Sequence, residues 1–172
     1  MNNHEKRDER REKYYPKDRV KLLLIGEAPP CNDAEFFYKG GRLRGRTLEA
    51  FVQARELSGN LCEDSDFNDF LFQKGCYLDD ILHAPIRRGL SQEEKHRMLA
   101  DAFPGFTKRL ATHNPQNVVL FVKGLDLYVR SAMAQSGANL LTYDALPFPG
   151  YSQKNIENYI TGLADVVRHI YQ

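Results

Sequence analysis

Four short apolar runs along the chain have the character of buried β-strands. They cover residues 20–25, 76–82, 117–122 and 139–143, and the first run is stopped by Gly26. A continuous aliphatic run that ends at a glycine is typical of a strand buried on both faces of a parallel sheet. The hydrophobic pattern therefore predicts strands separated by longer segments of a different period.

The segments between the strands carry apolar residues at helical spacing. A capping box formed by Ser91 and Glu94 begins one helix, and Pro104 is expected to open a further one. Gly137 ends another helix. The predicted helices cover residues 47–57, about 67–72, a segment that begins at 91, 104 to about 113, 125–135 and 152–171.

The alternation of strand and helix predicts an α/β fold. We expect a three-layer α/β/α domain around a four-stranded parallel sheet, spanning residues 20–172. Ligands of such folds bind beyond the carboxyl ends of the strands. This rule places four loops on one functional face, namely residues 26–46, 83–90, 123–126 and 144–151.

The first 19 residues differ in composition from the rest. Residues 1–19 interleave seven Lys or Arg side chains with five Asp or Glu side chains. Because the segment has so few apolar residues, we expect a solvated, charged N-terminal arm or a short surface helix. A basic arm that contacts DNA is the alternative, and the interleaved acids argue against it.

Composition narrows the function classes. The 172 residues suit one domain, and no apolar stretch reaches the roughly 20 residues of a membrane span, so no membrane partner is expected. The first 11 residues lack the apolar core of a secretory signal, which predicts a cytoplasmic protein. Three widely spaced cysteines predict neither a disulfide framework nor a metal or iron–sulfur site, and we expect no cofactor. With a net charge of +1, any basic surface must be local.

The loop after the first strand, residues 26–46, carries the strongest candidate chemistry. Glu27 lies where the strand ends, and a carboxylate at that place can orient water or stabilise a developing cation. A structural ion pair with a nearby arginine is the alternative for this residue. At least one ring of the run Phe36, Phe37 and Tyr38 is expected to face the pocket and stack on a flat ligand.

The end of the same loop is the densest basic stretch of the chain. Residues 39–46 place four cations among three glycines, just ahead of a predicted helix. Glycine exposes backbone N–H groups and arginine forks around phosphate, so this segment suits a nucleic-acid backbone. A solvated basic turn is the alternative.

The end of the second strand carries two consecutive carboxylates. Strand alternation points Asp79 and Asp80 to opposite faces of the sheet, so that at least one of them is semi-buried and needs hydrogen-bond donors. His83, which follows them, is expected to be structural.

The loop of residues 146–150 is the last candidate segment. Two prolines stiffen it around Phe148, and a rigid apolar wedge of this kind parts base steps in DNA-binding proteins. Ser152 and Lys154, at the start of the final helix, are placed to bind a phosphate. An ordinary turn before a helix is the alternative.

Taken in this order, the segments resemble the uracil-DNA glycosylase superfamily over residues 20–171. Gly-Glu-Ala-Pro at the end of the first strand is similar to the first motif of that superfamily, and Phe37, then Phe36, is the counterpart of the Phe that stacks on uracil. The second strand resembles the one whose end supplies an Asn that reads the uracil edge. Residues 117–124 resemble the third strand, and residues 146–152 take the place of the His-Pro-Ser loop that enters the minor groove.

The chain departs from the superfamily pattern where chemistry is done. Pro30 replaces the usual Gly, and the residue that activates water is missing from its usual place, with Asn32 and Asp33 as offset candidates. Asp79 or Asp80 replaces the Asn that reads the base, and an ionised Asp accepts hydrogen bonds without donating any. The last motif lacks its His, and the cysteines of the iron–sulfur branch are absent. The resemblance therefore implies a divergent branch.

The resemblance implies a monomeric DNA glycosylase. Such an enzyme flips uracil or another deaminated or modified base out of single- or double-stranded DNA and hydrolyses its N-glycosidic bond. Glu27 or Asp33 is then catalytic, and the base contacts Phe37, Phe36, Pro29 and Asp80 or Asp79. The DNA is held by Arg42, Arg44, Arg46, Phe148, Pro149, Ser152 and Lys154.

Two alternatives to this function stay open. One is a catalytically inactive module of the same fold that binds nucleic acid or a modified base, which the missing His and Asn favour. The other is a small-molecule enzyme on a similar scaffold, which would lack the salt-dependent DNA affinity that phosphate contacts produce.

Overall fold

The computed structural model describes residues 3–55, 64–87, 89–150 and 152–171. Some of the sequence-based expectations fall on residues outside these ranges, namely residues 1–2 of the N-terminal arm, the end of helix 47–57, Cys62, residue 88 of the second loop, residue 151 of the fourth loop and residue 172 of the domain. The described residues form one sheet with helices on both sides.

The sheet confirms the predicted architecture. Its strands are β1 (Leu22–Gly26), β2 (Cys76–Asp80), β3 (Asn117–Leu120) and β4 (Thr142–Ala145). All neighbouring strands are parallel, and their spatial order is β2-β1-β3-β4. The chain is therefore an α/β protein built on a four-stranded parallel sheet.

The strand order creates a crevice above the centre of the sheet. From β1 the chain moves to β2 on one side, whereas from β3 it moves to β4 on the other side. The loops that leave the adjacent strands β1 and β3 consequently diverge. Crevices at such switch points are where open α/β sheets bind ligands.

The position of β4 corrects the sequence-based expectation of a strand over residues 139–143. The strand begins at Thr142, because the apolar residues before it do not belong to the ladder. Leu141 is 71% exposed, and its N–H donates to the carbonyl of Gln116 at 2.7 Å. Leu140 packs against the core from outside the strand. The two leucines therefore precede β4, and their side chains do not belong to its faces.

Helices flank the sheet on both sides. The α-helices of the described residues are α1 (Asn3–Lys13), α2 (Gly41–Gln53), α3 (Asp64–Lys74), α4 (Gln92–His113), α5 (Asp126–Ser136) and α6 (Gln153–Tyr171). α2 packs against α6, and α4 packs against α5. A hydrogen bond of 2.9 Å between Thr47 Oγ1 and Tyr159 OH joins α2 to α6 in the core.

α2 begins earlier than the sequence pattern predicts. The expectation of a helix from Thr47 is wrong, because Glu35 provides a cap for a start at Gly41. The backbone N–H of Arg42 donates to Glu35 Oε2 at 3.1 Å. Gly41 has a φ of +82°, and a Cβ there would collide with the backbone of Glu35, so a glycine is required at this tight junction. The basic stretch is therefore the first turns of a helix and not a loop.

α4 corrects a second boundary. The capping box of Ser91 and Glu94 is present, but the helix runs on through Pro104 to His113, so Pro104 does not open a further helix. An interior proline removes one backbone hydrogen bond. Here the residue is exposed, while Leu99 and Phe106 on either side of it are buried in the core and hold both halves of the helix in line.

The N-terminal segment confirms the short surface helix that was one of the two expectations for residues 1–19, but its charged side chains are not all solvated. It contains the surface helix α1, but Arg7 and Arg11 of this helix are each only 3% exposed. Both guanidinium groups are buried because they pair with carboxylates of the body of the domain, at Asp33 and Asp80. Composition alone gives the charge of the segment and not its partners.

No helix in the described part of the chain combines the length and the apolar character that a membrane crossing requires.

Leu24, in the middle of β1, tests whether the sheet centre is as tightly packed as its burial implies. Its side chain is fully buried, and Leu24→Ala should lower the free energy of unfolding by about 3 kcal/mol. Urea denaturation measures the change. Leu127→Ala, at a side chain that is 83% exposed, is the control and should change it by less than about 0.5 kcal/mol. Similar losses in the two variants would contradict the packing described above.

Candidate functional site

A cavity of about 490 Å³ opens at the carboxyl ends of the strands. Its size lies within the range of small-molecule sites, roughly 300–1,000 Å³. The predicted first and fourth loops contribute to it, together with the end of β2 and the two residues that follow β3, whereas no described residue of the predicted loops 83–90 and 123–126 lines it. The lining residues are Glu27, Ala28, Pro30, Glu35, Phe36, Phe37, Arg42, Leu43, Leu78, Asp80, Phe121, Val122, Phe148, Pro149 and Gly150.

Gly26 allows the walls of the cavity to meet above β1. A Cβ at this position would collide with Asp80 Oδ1 and would lie 3.0 Å from the ring of Phe121. A glycine therefore brings the carboxylate from β2 and the aromatic ring after β3 over the end of the central strand. The backbone pairing continues beyond the ladder, where the N–H groups of Ile81 and Leu82 donate to the carbonyls of Gly26 and Glu27 at 2.9 Å.

Asp80 supplies the deep polar group of the cavity. It is 5% exposed, and Arg11 Nη2 donates to its Oδ2 at 3.2 Å. Burial raises the pKa of Asp80 to about 6, and the positive charge of Arg11 acts in the opposite direction. The negative charge of the neighbouring Asp79 adds to the upward shift. Asp80 is therefore a carboxylate at neutral pH that becomes protonated in mildly acidic solution.

Asp79 faces the other side of the sheet and does not line the cavity. Its oxygens contact His83 Nε2 at 2.9 Å, Arg109 Nε at 2.8 Å and His113 Nε2 at 3.3 Å. Burial favours a higher pKa for Asp79, but the hydrogen bonds from His113 and His83 and the charge of Arg109 outweigh it and hold the pKa well below its usual range. The expected alternation is thus confirmed, and the structure removes Asp79 from the base-binding set. His83 takes part in a structural contact.

Phe36 and Phe37 both form part of the cavity wall. The ring of Phe36 lies under two guanidinium groups, with Arg7 at 5.3 Å and Arg11 at 5.2 Å from its centroid. Phe37 packs edge-on against Tyr38, with ring centroids 5.3 Å apart. Since two cations already lie over the ring of Phe36, Phe37 is the better candidate for stacking on a ligand. The sequence also predicted Phe37 first and Phe36 second.

Glu27 lies half-buried at the end of β1 and lines the cavity. Within the described part of the chain its carboxylate forms no ion pair or side-chain hydrogen bond, so the alternative of a structural pair with an arginine is not realised there. A carboxylate that is not engaged by the protein is available to water or to a ligand in the cavity.

Asp33 is held outside the cavity wall. Arg7 Nε donates to its Oδ1 at 3.1 Å, and Lys39 Nζ donates to its Oδ2 at 2.8 Å. The hydrogen bond from Lys39 lowers the pKa of Asp33, and Arg7 contributes in the same direction. The structure thus makes Asp33 an anchor for α1 and places it outside the cavity lining, with both oxygens engaged. Pro29 is buried next to the lining residues and is not one of them.

The three arginines of the basic stretch separate into different environments. Arg42 lines the cavity, and its side chain is 81% exposed in spite of an ion pair with Glu35 at 3.4 Å. Arg44 is buried, donates to Asn68 Oδ1 at 3.2 Å and lies over an aromatic ring of the core. Arg46 pairs with Glu49 at 2.6 Å on the helix surface. The structure therefore places Arg44 in the core, away from a surface that DNA could contact, and Arg42 is the one of the three that lines the cavity.

The loop before α6 closes the cavity on the β4 side. Phe148 and Pro149 line it, and Phe148 remains 38% exposed, with its ring centroid 6.4 Å from that of Phe121. Ser152 Oγ accepts the N–H of Asn155 at 3.1 Å, so this hydroxyl is occupied as a helix cap. Lys154 is exposed and, like Ser152, does not line the cavity.

Sequence reasoning missed two groups of residues at the site. Arg11 had no signal, because it lies in a charged segment far from its partner Asp80. Phe121 and Val122 were assigned to the third strand, whereas they follow it and form the cavity wall. Their position directly after a central parallel strand is the signal that identifies such residues.

Comparison of the chain with models of known protein families and with curated proteins gave no match.

Gly26→Ala tests whether the close approach of Asp80 positions the cavity. The added Cβ collides with Asp80 Oδ1 and with the ring of Phe121, so the variant should unfold at lower denaturant concentration and lose ligand binding at the cavity. Gly105→Ala is the control, because a Cβ on Gly105 meets no atom within 4 Å. Equal stability of the two variants would contradict the approach.

Asp80 also predicts a pH dependence of stability. Its folded pKa of about 6 exceeds the unfolded value of about 3.9, so protonation of Asp80 stabilises the fold at low pH. That contribution is fully present below about pH 4 and is lost as the pH rises through 6. Asp80→Asn does not titrate at this position. Its free energy of unfolding relative to wild type should therefore rise between about pH 4 and pH 7 in urea denaturation, and parallel curves would contradict the shift.

Proposed function

We propose that the protein is a DNA glycosylase-like hydrolase that cleaves the N-glycosidic bond of uracil or of another deaminated or modified base in DNA. The observation that carries the proposal is that two carboxylates lie at different depths of one cavity with aromatic walls. Asp80 lies deep and is 5% exposed, whereas Glu27 lies half-buried at the end of β1. A base that enters with its edge toward Asp80 leaves its sugar near Glu27.

The walls of the cavity suit a flat heterocycle. Phe37 and Phe121 line it together with the aliphatic side chains of Leu43, Leu78 and Val122. An aromatic face provides stacking for any base, and a polar group at the deep end reads the edge of the base. This division of roles matches the one that the resemblance to uracil-DNA glycosylases implies.

Glu27 is assigned the catalytic role. As the C1′–N bond breaks, its electron pair leaves with the base and positive charge develops on the sugar. The carboxylate stabilises this charge and accepts a proton from the water whose oxygen attacks C1′. The departing base takes up a proton from solvent. Asp33 does not share this role, because both of its oxygens are in ion pairs.

The cavity mouth supports DNA as the partner. Arg42 places an exposed guanidinium at the rim, where it can pair with a phosphate next to the flipped nucleotide. The ring of Phe148 is partly exposed and belongs to a loop stiffened by prolines. Such a ring can fill the space that the flipped base leaves in the DNA. We also propose that the protein is a monomer and that it acts in the cytoplasm.

A module that binds a modified base without cleaving it is the second candidate. Within the described residues, Glu27 is the one carboxylate of the cavity that is in neither an ion pair nor a side-chain hydrogen bond, since Asp80 pairs with Arg11 and Glu35 pairs with Arg42. A site with one free carboxylate and no imidazole in its lining is suited to binding as much as to chemistry.

A cleavage assay separates the two candidates. Labelled single- and double-stranded oligonucleotides with one uracil, hypoxanthine, xanthine, 5-hydroxymethyluracil or 8-oxoguanine are incubated with the protein and then treated with alkali. We expect strand breaks at one of these bases, and Glu27→Gln should reduce the rate at least about 100-fold while binding is retained. The control is Glu93→Gln, at an exposed carboxylate outside the cavity lining.

Three outcomes of this assay are informative. Cleavage that survives Glu27→Gln contradicts the assigned role of Glu27. Binding without cleavage at high protein concentration favours the binding module. Neither cleavage nor salt-dependent binding contradicts both candidates and leaves a small-molecule enzyme as the interpretation.

A further inference from the structure

The deep end of the cavity is built from two distant parts of the chain. Arg11 of α1 is 3% exposed, and its Nη2 donates to Asp80 Oδ2 at 3.2 Å. The same guanidinium donates through Nη1 to Asp8 at 3.1 Å and lies over the ring of Phe36 at 5.2 Å. It is therefore fixed in position on the carboxylate that a ligand in the cavity meets.

This pairing determines which hydrogen bonds the cavity offers. A carboxylate accepts hydrogen bonds at both oxygens and donates none, whereas a protonated carboxyl or an amide both donates and accepts. A guanidinium in direct contact favours the ionised form. The other described titratable or charged groups near Asp80 are Asp79 beside it, His83 after β2, Arg109 of α4, whose Nη2 donates to the Asp80 carbonyl at 2.8 Å, and Glu27, Glu35 and Arg42 in the cavity wall.

We propose that the Arg11–Asp80 pair makes the cavity select a base edge with two adjacent N–H donors, as in the N1–H and 2-amino groups of guanine-type bases, over the uracil-type edge. An ionised carboxylate has about four lone-pair sites, so Oδ2 can accept from a ligand as well as from Arg11, and the two oxygens match two adjacent donors as in other bidentate pairs. Uracil presents one N–H between two carbonyl oxygens, and these face the negative charge. The inference rests on the proposed function and specifies the substrate class of the same site.

Arg11 acts in this scheme as a positioning residue. It does not line the cavity. Its effect on the ligand passes through the charge of Asp80. Without Arg11, the buried Asp80 should hold its proton to higher pH, because burial favours the neutral form and the opposing cation is gone. The neutral carboxyl then donates and accepts, which suits the uracil-type edge.

The test compares three nucleotides as probes: dGMP, dIMP and dUMP. dIMP differs from dGMP only by the missing 2-amino donor, and all three carry the same phosphate, so ratios of Kd cancel phosphate protonation across the pH range. Isothermal titration calorimetry at pH 7.5 should show dGMP bound about tenfold more tightly than dIMP. The ratio of the Kd of dIMP to the Kd of dGMP should fall as the pH drops through 6, and the affinity for dUMP should rise relative to the affinity for dGMP.

Variants of Arg11 and Asp80 identify the group that is responsible. Arg11→Met should move the pH at which the dGMP preference is lost to a higher value, whereas Arg11→Lys should keep it near the wild-type value. Asp80→Asn should abolish the preference for dGMP over dIMP and remove its pH dependence. Lys6→Met, which removes an exposed cation from the same helix, is the matched control and should leave the profile unchanged.

Each outcome decides for or against the inference. Equal affinity for dGMP and dIMP at pH 7.5, or tighter binding of dUMP, overturns the selectivity while base binding itself stands. A pH profile that Arg11→Met leaves unchanged overturns the role of Arg11. If circular dichroism shows that Arg11→Met is unfolded, the comparison of Arg11→Lys and Asp80→Asn with the wild type tests the inference. Binding of none of the three nucleotides overturns this inference together with the proposed base site.

Discussion

Two consecutive carboxylates at the end of β2 constrain much of this structure. Asp79 and Asp80 are both buried, and the extended backbone sends them to opposite sides of the sheet. A buried carboxylate is stable only with cations or hydrogen-bond donors around it. Different helices meet this requirement, since Arg109 of α4 holds Asp79 and Arg11 of α1 holds Asp80. One strand end thus fixes a helix on each side, and the cavity forms next to the carboxylate with the fewer partners.

Much of the fold was predictable because buried strands leave a strong hydrophobic signal. The four apolar runs identified the four parallel strands, and the boundary errors have local causes. α2 starts at Gly41 since Glu35 caps it from a position before the turn, which no helical period records. α4 continues through Pro104 since tertiary packing on both sides of the proline outweighs the lost hydrogen bond.

The site was predictable to the extent that it follows the strands. Glu27, Asp80 and Phe148 lie at strand ends or in the loops that the strand order places on one face, and all three line the cavity. The different environments of Arg42 and Arg44 were not predictable, because the face of α2 on which each residue lies depends on where the helix begins. The place of Arg11 at the site was also not predictable, because its partner Asp80 is 69 residues away in the sequence. Long-range ion pairs leave no periodic trace in a single sequence.

The docking of α1 has a consequence for how the limits of this domain are understood. Composition places the start of the domain at residue 20, with a charged tail before it. A fragment cut at that point would retain every strand and the aromatic wall, but it would lose the cation under Asp80 and both cations over Phe36. Tyr14, in the same segment, is 7% exposed and stacks on Tyr38 in the hydrophobic core. Proteolysis or a bulky fusion next to α1 would thus disturb the charges around the cavity and part of the core together, so residue 20 marks a change of composition and not the limit of the folded domain.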